Sequence, residues 1–224
     1  MNALLIVDDR PESGLGHVVR CEALADELLG REWGVSAWGL QRFPNGALCG
    51  VGDTSVAIYD HGNAPAPGLI GRPGMRTVII VDAPPWDASG LDLLVCGSAG
   101  ATSEMFAGCG AKRVLAGPEY SLLRAEFRCF SGWHPDAQAG TLDLRLISNI
   151  GSYPLAVMIA KAESIITYGG MRAMEAACVT RGKAPLEIIA RNDGERLNEA
   201  GLRAGRIPDG FGCARVADAI EALL

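Results

Sequence analysis

The sequence has few of the features that mark metalloproteins, disulfide-stabilised scaffolds or nucleic-acid-binding proteins. It contains only 3 histidines, so a metal centre built from several histidines is not expected. Its 7 cysteines are odd in number and form no C-x-x-C pair, which predicts free, mostly buried thiols in a reducing cytoplasm rather than disulfides or a zinc site. The 20 Lys and Arg residues are scattered among 26 Asp and Glu, and no basic patch that would bind nucleic acid stands out.

Long apolar runs are also missing. No run approaches the roughly 18 residues that a membrane-spanning helix needs. The first apolar run is interrupted by Asp8, Asp9 and Arg10, so no signal peptide is expected. These absences, together with the free cysteines, predict a cytoplasmic protein without a membrane partner.

The chain instead alternates short apolar runs with amphipathic stretches. Residues 76–82 give the clearest strand, because their continuous β-branched run is typical of a strand that is covered on both faces. The alternation up to about residue 127 predicts a doubly wound parallel sheet. Further strands are predicted at 3–8, 34–38, 55–59, 91–96 and 112–116, with a first helix from 17 to about 31 and a turn and helix over 117–127.

Periodicity is lost after residue 128 and returns near residue 142. We therefore predict an N-terminal domain at 1–128, a linker at 129–141 and a C-terminal domain at 142–224. The second domain again reads as α/β, so the pattern predicts two α/β domains. Its predicted strands are 142–147, 164–168 and 185–190, and its predicted helices are 154–163, 171–180, 193–204 and 213–224.

The turn between the first strand and the first helix contains Gly14, Gly16 and His17. The two glycines permit a positive φ and a close approach of the backbone, and the helix N-terminus offers N–H donors to a phosphate. A histidine at this position could take a proton from water or a hydroxyl near neutral pH. The alternative is a turn that only packs helix on strand. It is not the dinucleotide fingerprint, because Arg20 and Cys21 follow where a third glycine is needed.

A second polar cluster, Asp60-His61-Gly62-Asn63, follows the predicted strand 55–59. Polar groups just beyond the carboxyl end of a strand lie where open α/β sheets hold their ligands. A capping or turn role for His61 is an equal alternative.

Four stretches resemble, in this order, the UDP-sugar hydrolases of pseudaminic acid biosynthesis, which are relatives of the N-acetylglucosaminyltransferase that makes lipid II. They are GLGHVVRCEALA from Gly14, Asp60-His61, GPEYSLLRAEF from Gly117 and GGMRAME from Gly169. The resemblance covers most of the chain. It implies a GT-B fold, in which two Rossmann-like domains face a cleft. It also implies hydrolysis without metal or cofactor, releasing UDP and a free amino sugar by attack of water at the anomeric carbon.

The resemblance also implies roles for individual residues. His17 would be the general base, and Asn192 matches an asparagine near the sugar, although the family's Asn-Gln pair reads Asn192-Asp193 here. Glu175 would accept hydrogen bonds from the ribose, unless it is a solvated helix residue. The remaining residues expected to bind the nucleotide or sugar are Gly14, Gly16, Asp60, His61, Gly169, Gly170 and Met171, with an ordinary turn as the alternative at Gly169-Gly170.

Two departures from the family pattern widen the range of functions. Gly62 stands where the family has a tyrosine. The second domain lacks a strand, a Gly-Gly-x-Asp loop, a helix and another strand, so it is shorter by about 50 residues, well outside ordinary loop variation. A sheet of roughly three strands exposes an edge, which a partner such as a second copy in a homodimer, or the first domain, would cover. A glycosyltransferase of the same fold and a non-catalytic nucleotide-sugar-binding or scaffold protein therefore remain alternatives to the hydrolase.

Overall fold

The structure is a computed structural model that describes residues 1–9, 15–39, 53–60, 73–84, 87–133, 135, 140–147 and 150–224. The chain divides into two compact units. The first unit contains Met1–Cys96, Thr102–Leu115 and Cys213–Leu224, and the second contains Gly97–Ala101 and Ala116–Gly212. This division differs from the predicted boundaries at three places, since residues 97–101 and 116–128 group with the second unit and residues 213–224 group with the first.

The first unit is built on a sheet whose strands pair in the order β2-β1-β3-β4-β5-β6. Strand β1 pairs in parallel with β2 and β3, and the pairs β3–β4 and β4–β5 are also parallel. The α/β class and the parallel sheet are thereby confirmed. The strands are β1 (Asn2–Val7), β2 (Gly34–Trp38), β3 (Val56–Asp60), β4 (Arg76–Ile80), β5 (Leu93–Cys96) and β6 (Arg113–Ala116).

Strand order reverses around β1. The chain leaves β1 through helix α1 (Gly16–Gly30) to β2 on one side, and then returns to β3 on the other side of β1. Helix α1 lies against β1 and β2 and buries an apolar stripe that includes Leu24 and Leu28. The carboxyl ends of β1 and β3 therefore form a topological switch point, where open α/β sheets bind their ligands.

The last helix, α6 (Gly212–Glu221), is fixed to the first unit by polar contacts. The guanidinium of Arg31 donates to Asp218 at 2.7 Å, and the indole N–H of Trp33 donates to Glu221 at 3.3 Å. These contacts explain why the end of the chain groups with its beginning.

The second unit has a three-stranded parallel sheet, as predicted, and its strands lie in the order β7-β8-β9. Its core is apolar and centres on Phe127, Leu155, Ile159 and Ile165. The strands are β7 (Thr141–Asp143), β8 (Ser164–Tyr168) and β9 (Leu186–Ile189), and the helices are α2 (Ala125–Cys129), α3 (Ser152–Lys161), α4 (Met171–Thr180) and α5 (Asp193–Arg203). Short 3-10 helices occupy Ser103–Phe106 in the first unit and Pro118–Tyr120 and Leu144–Leu146 in the second.

The predicted strand over 142–147 is wrong for its last four residues. Strand β7 ends at Asp143, whose carboxylate accepts the backbone N–H of Arg145 at 3.0 Å and starts the 3-10 helix Leu144–Leu146. The guanidinium of Arg145 binds the same carboxylate at 2.6–2.8 Å. A side-chain bond of this kind competes with strand pairing, and apolar periodicity does not reveal it.

Within the ranges described above, no helix is both long and apolar enough to cross a membrane. The six described cysteines are free, and four of them are buried, in line with the predicted burial.

Candidate functional site

The carboxyl ends of β1 and β3 bring His17 and Asp60 together. His17 is the second residue of α1 and Asp60 is the last residue of β3, and the imidazole Nδ1 lies 2.6 Å from Oδ1 of Asp60. A carboxylate only accepts hydrogen bonds, so we assign the proton of this pair to Nδ1. The lone pair of a neutral His17 then resides on Nε2. None of the described residues bonds Nε2, and the side chain is 17% exposed.

Arg20 completes this cluster one helical turn after His17. Its Nε and Nη2 donate to Oδ2 and Oδ1 of Asp60, and its Nη1 donates to Oδ1 of Asp82. Nη2 also lies 3.0 Å from Nδ1 of His17, which binds the same oxygen of Asp60. Asp82 follows β4, the strand next to β3. The guanidinium therefore joins the ends of two neighbouring strands to the first turn of α1.

The charges of Asp60 and Arg20 stabilise each other. Burial disfavours the ionised form of Asp60, but the charge of Arg20 and the hydrogen bonds from Arg20 and His17 hold its pKa below the ordinary value. Burial likewise opposes the charge of Arg20, yet Asp60 and Asp82 raise its pKa well above the ordinary value. Asp60 is thus an ionised, fully buried partner of His17 at neutral pH, and its oxygens already accept hydrogen bonds from protein donors.

Cys21 also faces Asp60, with its Sγ 3.4 Å from Oδ2. Burial and the negative charge of Asp60 raise the pKa of this thiol well above its ordinary value. A thiol in this state is not a nucleophile, because the thiolate is the reactive form.

The other site residues predicted for the first unit are only partly described. Gly16 begins α1, directly before His17, and the residue at its N-cap makes no side-chain capping bond. Gly14 and His61 lie outside the described residues, as does Gly62. Sequence analysis missed Arg20 and Asp82. The available signal was their position, because Arg20 is three residues after His17 on one helix face and Asp82 is the last residue of the strongest predicted strand.

In the second unit, Glu175 lies within α4 and is 1% exposed, so it is not a solvated helix residue. Its Oε1 accepts a hydrogen bond from Nη2 of Arg124 at 2.8 Å, and its Oε2 accepts one from Nη1 of Arg172 at 3.0 Å. Burial raises the pKa of Glu175 despite these two positive charges. Each carboxylate oxygen is therefore already engaged by an arginine.

Gly169 and Gly170 join β8 to α4, as predicted, but the two glycines have different surroundings. A β-carbon at Gly169 would lie 2.6 Å from the carbonyl oxygen of Glu195 in α5, whereas at Gly170 the nearest atom is 4.0 Å away. The carbonyl of Gly169 also accepts a hydrogen bond from Nδ2 of Asn198 at 2.9 Å. Gly169 thus lets α5 pack on the turn, and Met171 packs against an apolar cluster beside it.

Asn192 is the N-cap of α5, and its Oδ1 accepts the backbone N–H of Glu195 at 2.9 Å. The preceding residue, Arg191, stacks its guanidinium on the ring of Tyr168 at 3.8 Å and donates to Oε1 of Glu195 at 2.8 Å. The side chain expected near the sugar therefore has a capping role in the helix.

The described part of the chain contains no group of three or more His, Cys, Asp or Glu residues arranged to hold a metal ion. A comparison with protein-family models found no match, and a comparison with curated proteins found none either.

Proposed function

We propose that this chain hydrolyses a UDP-linked amino sugar, with His17 as the general base that activates water. The observation that carries the proposal is the 2.6 Å bond between Nδ1 of His17 and the buried carboxylate of Asp60. That bond orients the ring, and the negative charge stabilises the imidazolium that forms when Nε2 takes a proton from water. A positioned base of this kind contributes roughly 10²–10⁴-fold to the rate.

The place of the pair in the fold supports the proposal. His17 and Asp60 lie at the switch point of the six-stranded sheet, which is where α/β proteins hold their ligands. Two units that each carry a parallel sheet are what a GT-B enzyme requires, and the resemblance of the Gly14–Ala25 stretch to the UDP-sugar hydrolases adds the substrate class.

The second unit supplies candidates for binding the diphosphate. Helix α4 begins after Gly170, which makes no side-chain capping bond, and its first turn carries Arg172. Arg124 donates a hydrogen bond to the carboxylate of Glu175, as Arg172 does. Helix N–H groups and guanidinium groups are both suited to bind phosphate oxygens. In the proposal, Glu175 holds these two arginines in place rather than accepting the ribose hydroxyls.

A second candidate function is binding of the nucleotide sugar without turnover. It is favoured by Asn192, because the side chain that the resemblance places near the sugar is bonded to the helix that it caps. The two candidates share the ligand and differ in whether His17 matters for anything besides binding.

The test is release of UDP from a panel of UDP-linked acetamido sugars, in the presence of a chelator, by wild type, His17→Gln and the matched control His134→Gln. We expect release by wild type and the control, and a loss of at least about 10²-fold in His17→Gln. Equal rates in wild type and His17→Gln would overturn the assignment of the base. A protein that UDP stabilises against heat but that releases no UDP would support the binding function instead.

A further inference from the structure

The second unit contains a cavity of about 680 Å³ at the C-terminal end of helix α4, and its lining includes Arg128, Arg181, Asp209 and Phe211. This volume lies in the range of roughly 300–1,000 Å³ that is typical of small-molecule sites. Helix α4 has 10 residues, so its two ends are about 15 Å apart. The cavity is therefore separate from the turn at Gly170 and from the groups proposed above to bind the diphosphate.

Two arginines that line the cavity have guanidinium groups with unused donors. The guanidinium of Arg128 stacks over the ring of Phe211 at 4.8 Å, and no described residue accepts a hydrogen bond from it. The guanidinium of Arg181 donates to the carbonyl of Pro208 at 3.3 Å, and it forms no ion pair with a carboxylate in the described part of the chain. By contrast, the two arginines on Glu175 each bind a carboxylate oxygen. A stacked guanidinium still presents N–H groups at its edge, where an anion can accept them.

These arginines are not needed to satisfy the end of α4. The carbonyls of Ala177, Val179 and Thr180 already accept backbone N–H groups at 2.8–2.9 Å. Arg181 also has a φ of 50°, in the left-handed region that favours glycine, although a glycine follows directly at Gly182. A glycine at 181 would end the helix with less strain. The strained backbone therefore indicates a use for the Arg181 side chain besides helix termination.

The segment from Asp209 to Phe211 packs closely against Arg128. Gly210 has a φ of 83°, and a β-carbon there would lie 2.7 Å from Cβ of Arg128. The carboxylate of Asp209 accepts the backbone N–H of Phe211 at 3.0 Å, and the ring of Phe211 is 47% exposed. The cavity thus combines two positive charges, one negative charge and an accessible aromatic ring.

We propose that this cavity binds a small organic phosphate, whose phosphate group is held by Arg128 and Arg181. Guanidinium groups bind phosphate oxygens with two parallel hydrogen bonds. A phosphate monoester carries about −1.5 to −2 charges at neutral pH, which suits two arginines better than the single charge of a carboxylate does. The ring of Phe211 and the volume of the cavity accommodate an apolar or aromatic part of the same molecule. Binding here is independent of the hydrolase proposal.

The test is calorimetric titration of the full-length protein with phenyl phosphate, inorganic phosphate and benzoate. Phenyl phosphate should bind most tightly, since it combines the dianion with a ring. Arg128→Met and Arg181→Gly should each weaken its binding by about ten- to hundredfold, because each removes charge-assisted hydrogen bonds. Asp209→Asn removes a negative charge from the cavity and keeps an acceptor for the N–H of Phe211, so it should tighten binding by about two- to fivefold.

Two control variants separate the cavity from other positive groups of the same unit. Arg172→Met removes a guanidinium at the opposite end of α4, and Arg196→Met removes an exposed arginine near the start of α5 with the same change in net charge. Both should leave the affinity for phenyl phosphate unchanged. Arg181→Gly also removes the strained φ, so the melting temperature of the free protein should stay the same or rise.

Cys129 reports the place of binding, because its exposed thiol lines the same cavity. Phenyl phosphate should slow the alkylation of Cys129 by iodoacetamide and leave that of Cys109, in the first unit, unchanged. Mass spectrometry of the alkylated peptides measures both rates in one sample. Equal slowing at both cysteines, or no slowing at Cys129, would contradict binding in the cavity.

Weaker binding in Arg128→Met and Arg181→Gly, with both controls unchanged, supports the proposal. No binding of either phosphate overturns it, as does binding that is lost in Arg172→Met but kept in the two cavity variants. Benzoate bound as tightly as phenyl phosphate would contradict the assignment of a phosphate. If Arg128→Met does not fold, Arg181→Gly decides alone, since a stable variant with unchanged affinity contradicts the proposal. Because no UDP-sugar is present, failure of the hydrolase proposal would leave this result intact.

Discussion

The two units treat their buried carboxylates in opposite ways. In the first unit, both oxygens of Asp60 accept hydrogen bonds from Arg20, and the pKa of Asp60 is lowered. Its other partner, the partly exposed His17, keeps one ring nitrogen that no described residue bonds. In the second unit, Glu175 has both oxygens on arginines, and burial raises its pKa. A polar group at the end of a strand or in the first turns of a helix is therefore not by itself a ligand-binding group. Such a group can bind a ligand only if it has a donor or acceptor atom that does not already hydrogen-bond another residue of the protein.

The arginines of the two units also differ in exposure. Arg20 is almost fully buried, whereas the side chains of Arg124 and Arg172 are 18% and 33% exposed. Loss of a carboxylate therefore leaves a more strongly desolvated charge in the first unit than in the second.

The largest effect that would test this difference is loss of Asp60. Asp60→Asn keeps one acceptor but removes the negative charge that balances Arg20 in a buried site, and we expect about 3–5 kcal/mol of destabilisation. Glu175→Gln still offers an acceptor to one arginine and should cost about 1–2 kcal/mol. Urea unfolding measures the total change in the free energy of unfolding for each variant. Hydrogen exchange of peptides shows in which unit the stability is lost. Equal destabilisation by the two variants, or a larger effect of Glu175→Gln, would contradict this difference between the two units.

The pH dependence of these two variants should differ in sign. The pKa of Asp60 is lowered on folding, so its contribution is present above the unfolded-state value near 4 and is lost as the pH falls through the folded-state pKa. The pKa of Glu175 is raised, so its contribution is present at low pH and is lost as the pH rises through the folded-state pKa. On acidification, the stability difference from wild type should shrink for Asp60→Asn and grow for Glu175→Gln. The same trend in both variants would contradict the opposite directions in which folding changes the pKa values of Asp60 and Glu175.

Two adjacent glycines provide a smaller and well-matched test. Gly169→Ala places a methyl group against the backbone of Glu195 and should cost about 1–3 kcal/mol through overpacking. Gly170→Ala meets no atom closer than 4.0 Å and should change stability by less than about 0.5 kcal/mol. Thermal unfolding of the two variants measures the contrast. Equal stability would mean that α5 does not require the glycine at 169.

The smallest expected effect concerns Asn192. Asn192→Ala removes the N-cap of α5 and should cost about 1 kcal/mol, whereas Asn192→Asp keeps a good capping residue and should retain stability. Thermal unfolding again provides the measurement, and unchanged stability in Asn192→Ala would refute the capping role. A fall in UDP release by a stable Asn192→Asp would show that the side chain contacts the sugar as well.

Much of the fold could be predicted because the local signals were strong. The bounds of β2, β8 and α4 agree with the prediction at both ends, since Gly34, the Gly169-Gly170 pair and Arg181-Gly182 mark where apolar periodicity starts or stops. Strand β7 was predicted too long, because the bond from Asp143 to Arg145 ends it without any change in apolar pattern.

The candidate site could be predicted only in part. His17 was identifiable because it follows a glycine turn at a strand end, and Asp60 was identifiable by its place after another strand. That Asp60 binds His17, and that Arg20 binds both Asp60 and Asp82, depends on strand order, which brings residues 40 or more positions apart into contact. A single sequence shows the strands, but it does not show which of them are neighbours.

The most direct test of the central claim is the reaction of a UDP-linked acetamido sugar with wild-type protein in H₂¹⁸O, followed by mass spectrometry of both products. A base at His17 that activates water for attack at the anomeric carbon predicts one ¹⁸O atom in the released sugar and none in UDP. Label in the phosphate of UDP would place the attack at phosphorus and contradict the proposed chemistry. Absence of products, with His17→Gln indistinguishable from wild type, would contradict the role of His17 as a base.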